Sequence, residues 1–177
     1  MIVVDFWNLQ KGLWSLLIFL TFGLVTPHAE PLALATPAAV GAYVCTNLPY
    51  MGDPWKGLVD FNHAPSVLQG AIETNTARRL AIDCDDFGVL AYAMLAKIPG
   101  CKPYLYTLID QGGVGCHVIT LYDWNKPRGG VEHGAIDTSG WRELATLTPA
   151  VVLPTWTALY ARVGYRYVGM SLTRYPF

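Results

Sequence analysis

Residues 82–97 read IDCDDFGVLAYAMLAK. Apolar side chains at Phe87, Leu90, Ala91, Met94 and Leu95 repeat with the 3.6-residue period of an amphipathic helix, so a helix is expected over 84–97. Asp83 suits the N-cap. Asp85 and Asp86 suit the first turn, where carboxylates meet unpaired amides and the positive end of the helix dipole, and Pro99-Gly100 ends the run. Cys84 therefore stands on the first turn, a position that favours a thiolate. A cysteine there is a candidate nucleophile, although a single cysteine is usually a small buried hydrophobe.

Working outward, three strand-like runs follow the helix: Lys102–Ile109, then Gly115–Trp124 after the turn Asp110-Gln-Gly-Gly, then Val131–Asp137 after Lys126-Pro-Arg-Gly-Gly. Pro154–Arg162 reads as a short helix and Tyr165–Met170 as a last strand. Upstream, Pro65 opens a short helix with Val67, Leu68, Ala71 and Ile72 on one face, and 36–66 reads mostly as loop. Helices first and an antiparallel meander afterwards make the fold class α+β, with the Cys-bearing helix packed on an antiparallel sheet. A hairpin turning about 110–114 would set Cys116 opposite Leu108, beyond direct bridging distance of Cys101. A bridge from Cys45 to Cys101 or to Cys116 stays open. No C-x₂-C spacing supports a structural zinc site.

Residues 13–25, LWSLLIFLTFGLV, carry no charge. As a helix they span about 20 Å, short of the ~30 Å hydrocarbon core of a bilayer. Lys11 precedes the run and small residues follow it, with cleavage sites after Ala29 or after Ala35, while Asp5 leaves the leading residues nearly neutral. Residues 1–35 are therefore expected to be a signal peptide or an N-terminal membrane anchor. The remaining 36–177 would form one domain, periplasmic or secreted, or held at the membrane through 13–25. Charged residues make up only 14% of the chain and the net charge is −1. That excludes a disordered chain and gives nucleic acid no electrostatic partner.

Two further residues complete a chemical set. His117 lies near the start of the second strand and Asp137 near the end of the third. On adjacent strands they can converge at one sheet end, supplying an imidazole base and a carboxylate to fix its tautomer beside the Cys84 thiol. Each alone has a bland explanation, as a core histidine or a turn-forming aspartate. The ordered set on a helix–strand–strand pattern reverses that balance. His133 shares the face of Asp137 and is the second-choice base. His63 reads as a loop residue, and His28 leaves with a cleaved signal. Asn75 and Gln69 are oxyanion-hole candidates by position only.

The stretch Arg78–Trp141 resembles the transglutaminase-like branch of the papain-like cysteine peptidase superfamily, bacterial type. The family's helix-opening motif is matched by Ile82-Asp83-Cys84-Asp85-Asp86-Phe87, its histidine by Gly115-Cys116-His117-Val118, and its aspartate by Ala135-Ile136-Asp137-Thr138. Val118-Ile119 departs from the small residue and tryptophan common after the family's histidine. The resemblance implies a papain/transglutaminase-like core in 36–177 and a catalytic triad of Cys84, His117 and Asp137. It implies attack on protein or peptide amides through a thioester, and hydrolysis sooner than cross-linking. No cofactor is required. Some bacterial members bind calcium beside their cysteine, and Asp83, Asp85 and Asp86 offer hard oxygen ligands of that kind, although helix capping accounts for the same residues. Two other readings stand beside this one: a cell-wall peptide hydrolase of the small papain-like type, and a non-catalytic membrane-attached domain of the same fold.

Overall fold

A computed structural model describes residues 28–50, 63–112 and 116–173 together with Leu13, apart from the side chain of Cys116. Leu13 aside, the apolar run 13–25 lies outside the described residues. Among those described, no helix is long and apolar enough to cross a membrane.

Helix α1 (Pro37–Asn47) corrects the expectation of loop across 36–66. Its start signals are present: the Thr36 hydroxyl accepts from the Ala39 amide at 3.2 Å, and proline occupies the first turn. What hid it is the central glycine, a poor helix former. Gly41 is required by packing, because a Cβ there would lie 2.5 Å from Cβ of Trp141. Helix α2 (Pro65–Glu73) begins at the expected proline, and α3 (Cys84–Leu95) at the expected cysteine.

The strands are β1 (Cys101–Asp110), β2 (Cys116–Asn125), β3 (Val131–Asp137) and β4 (Gly140–Leu144). Helix α4 (Pro149–Tyr160) and β5 (Tyr167–Leu172) follow. They form one open antiparallel sheet in the order β4-β3-β2-β1-β5. The α+β class is thus observed, with the Cys84 helix on the sheet. Three details differ from expectation. The short, charged edge strand β4 was not anticipated. Helix α4 starts five residues early and runs through Pro154. In the β1–β2 hairpin Cys116 pairs with Ile109 and His117 with Leu108, a one-residue shift, because the connection holds an even number of residues. Cys101 faces Trp124, far from Cys116.

Alternation along the strands divides the core in two. Val118, Tyr122 and Ile136 pack with Val44, Leu68, Leu90 and Met94 beneath α1, α2 and α3. Ile119, Leu121 and Ala135 pack with Leu108, Val152 and Trp156 beneath α4. Helix α3 is pinned closely to β2: a Cβ on Gly88 would come within 2.9 Å of Leu105 and Val118, and the Thr120 hydroxyl donates to the Gly88 carbonyl at 2.7 Å. Residues 29–34 also lie against this body. The Ala29 amide donates to the Ser66 carbonyl at 3.0 Å, Glu30 pairs with Lys97, and Leu34 packs on the first core.

Candidate active site

His117 and Asp137 sit beyond the last registered β2–β3 pair, Thr120 with Ile136, at one end of the sheet. Two residues from Ile119 and Ala135, they share the α4 face. His117 Nε2 and Asp137 Oδ2 are 2.9 Å apart, and both side chains are buried. The same Oδ2 accepts from the Trp156 indole at 2.8 Å and the Tyr160 hydroxyl at 3.1 Å. Oδ1 accepts from the amide of Ser139 at 2.9 Å and from its hydroxyl at 2.5 Å. Burial alone would raise the carboxyl's pKa, but His117, Ser139 and Trp156 together hold it below the usual range. Asp137 is therefore a fixed anion. With Nε2 engaged, Nδ1 is the imidazole nitrogen left for proton transfer.

Aromatic rings wall the pair. The Tyr160 ring lies 4.8 Å from that of His117 and its hydroxyl 3.2 Å from Nε2, and the Tyr167 ring lies 6.4 Å away. Burial, then the Asp137 charge, push the Tyr160 phenol well above its ordinary pKa, so it stays a neutral donor.

Cys84 arrives from the other layer. It is half-buried on the first turn of α3, and its thiol donates to Asp85 Oδ1 at 3.9 Å. Burial chiefly raises the phenol pKa of Tyr167, and the neighbouring Tyr160 and Tyr165 raise it further. On the same side of the fold Cys45 of α1 donates to the Asp137 carbonyl at 3.4 Å. The structure thus brings His117 and Asp137 into direct contact on the α4 face, while Cys84 packs with the core on the α3 face of the sheet.

The acidic run serves the helix start. Asp83 Oδ1 accepts from the Asp85 amide at 3.2 Å, and Asp86 Oδ2 accepts from the Asp83 amide at 3.4 Å, a capping box. Asp86 is wholly buried and also takes the amide of His63 at 3.0 Å and its Nδ1 at 3.1 Å. His63 is therefore a buried partner of α3, not a loop residue, and its Nε2 is buried without a hydrogen bond. Asp86 is thus engaged by an imidazole and two amides, as helix cap and as partner of His63. Among the described residues no group of three or more His, Cys, Asp or Glu converges on a metal position.

The other sequence candidates have separate duties. His133 Nδ1 lies 2.6 Å from Asp123, four residues along β3 from Asp137. Gln69 is buried, with its amide donating to Tyr43 and Glu73, so it has no donor left for an oxyanion. Asn75 lines a cleft and has a left-handed backbone, φ +54°. Rather than being remote from the body, His28 contacts Ser66 at 3.1 Å. Cys45 and Cys101 carry free thiols, so no Cys45–Cys101 bridge forms. Sequence reasoning missed Trp156, Tyr160 and Ser139. Ser139 alone left a local signal, as the second residue after an aspartate in a turn.

Comparison of the chain with family models, curated proteins and solved structures returned no match.

Proposed function

We propose that this chain is an exported cysteine enzyme of the transglutaminase-like type that hydrolyses peptide or protein amides, with Cys84 as nucleophile, His117 as base and Asp137 as orienting carboxylate. The observation that carries this reading is the buried His117–Asp137 pair, whose shared oxygen is held by two further donors at one end of the sheet. A carboxylate locked this firmly fixes one imidazole tautomer, which a general base needs and a core histidine does not.

The reaction balances as follows. The Cys84 thiol gives its proton to His117 Nδ1 and its sulfur adds to the amide carbonyl. The tetrahedral adduct collapses to a thioester as the amine leaves with the proton from His117. His117 then takes a proton from water, whose oxygen attacks the thioester, and the thiol is regenerated with release of a carboxylic acid. Residues 1–35 serve export as signal or anchor. No metal enters any step, and EGTA is expected to leave turnover unchanged.

The test is a substitution series assayed on a fluorogenic peptide library. C84A and H117A are expected to lose ~10³-fold or more in kcat/KM and D137N ~10²-fold or more, with H133A close to the parent. An inactive H133A with an active H117A would overturn the assignment. So would failure of Cys84 to react with an electrophilic peptide probe in the folded protein.

A further inference from the structure

A cleft of about 460 Å³ opens between the end of α1, the turn after α2 and the first turns of α3. Its position relates it to the chemistry. Thr138 on its wall follows Asp137 and meets the Tyr160 hydroxyl at 3.0 Å. Phe87 on its wall is three residues from Cys84, so the two share one side of the helix. The cleft therefore passes both layers that furnish the proposed triad.

Its walls differ in character. Tyr50 and Phe87 form an aromatic side, edge to face, with ring centroids 6.2 Å apart. Asn47, Asn75 and Thr138 supply amides and a hydroxyl, and Arg78 supplies the charge. No carboxylate is among the described lining residues. Arg78 is exposed, has no ion pair among the described residues, and is the one charged side chain among the described lining residues. Its backbone is held in place. The 3₁₀ turn Ala77–Arg79 is closed by the Arg79 amide on the Thr76 carbonyl at 2.8 Å and the Leu80 amide on Ala77 at 3.1 Å.

We infer that this cleft is the substrate groove of the proposed enzyme and selects a peptide with a carboxylate close to the scissile amide. Arg78 pairs with that carboxylate through its planar fork, and the Tyr50–Phe87 wall takes the apolar part of the peptide. The inference rests on the proposed activity for the word substrate, but the binding itself can be measured without turnover. An acidic side chain in a protein and the carboxylates of a cell-wall stem peptide share the required chemistry.

The experiment uses the full chain carrying C84A and fluorescence anisotropy at low ionic strength, where an exposed pair is least screened. The probes are two matched pairs: a linear peptide with Glu or Gln, and a cell-wall stem peptide with free or amidated carboxylates. The carboxylate member of at least one pair is expected to bind about fivefold more tightly, and the pair concerned identifies the source. R78Q should bring the two members within about twofold and leave the amide member unchanged, and R78E should make the amide member the tighter. Equal or undetectable binding in both pairs, or a preference that survives R78Q, overturns the groove. Turnover by the parent chain is read separately: preference without turnover sinks the activity and leaves the groove, and turnover without preference does the reverse.

Discussion

Trp156 donates its indole N–H to the same Asp137 oxygen that receives His117, at 2.8 Å and 2.9 Å respectively. A buried carboxylate oxygen with several donors has little freedom to rotate, so Trp156 sets the direction from which Asp137 faces the imidazole. W156F keeps most of the packing volume and removes the donor. It is expected to cost about 1–3 kcal/mol of stability, because a buried acceptor loses a partner. The proposed activity should fall about tenfold in kcat, with KM little changed, if orientation is what the indole provides. Unchanged kcat in a folded W156F would remove Trp156 from any positioning role.

The thiols should separate sharply toward iodoacetamide. Burial, then the Asp123 and Glu132 charges, push Cys101 up to about 12, and burial with the Asp137 charge raises Cys45. Cys84 on its helix start is expected to be modified first, and peptide mass mapping at mildly alkaline pH will read the order. Modification of Cys45 or Cys101 ahead of Cys84 would contradict it.

His63 and Asp86 make stability depend on pH. Burial opposes a charge on His63, but the adjacent Asp86 carboxylate holds its pKa above the ordinary imidazole value of 6.5. The fold thus favours the protonated ring. Its contribution is complete below about pH 6.5 and is lost as the pH rises through the raised value. Urea unfolding across this window should show falling stability in the parent chain and a flatter profile in D86N. D86A, which also removes the capping box, should cost about 3–5 kcal/mol. Rising stability between neutral and mildly alkaline pH would refute the pairing.

The docked residues 29–34 bear on where a leader would be cut. Cleavage after Ala29 keeps the Glu30–Lys97 pair and the Leu34 contact, and cleavage after Ala35 removes both. A chain beginning at Glu30 is expected to be about 1–2 kcal/mol more stable than one beginning at Thr36, mainly through Leu34. Equal melting temperatures would show that the segment adds nothing.

What was legible in the sequence follows from where the information is local. The period of Phe87 to Leu95 and the cap at Asp83 are properties of one segment, and α3 appears where they place it. The runs that became β1, β2 and β3 alternate strongly enough to find, and the order of His117 and Asp137 along them was enough to pair those two. Gly41 hid α1 because its reason is Trp141, a hundred residues away. Trp156 and Tyr160 were unremarkable in a short apolar run, since their duty arises only when α4 crosses the sheet and lays them on Asp137. His63 likewise gained its role from Asp86, a partner that no local pattern announces.

The two-sided construction of the sheet end has a consequence for the order of events during synthesis. Cys84 leaves the ribosome well before Trp156, Tyr160 and Tyr167, the residues that enclose the His117–Asp137 pair. Until α4 closes over the second face, the imidazole has no enclosing wall and Asp137 lacks its C-terminal donors. The proposed nucleophile is made early and the His117–Asp137 enclosure is assembled last, so a chain truncated before α4 carries the thiol without its proposed partner in working order.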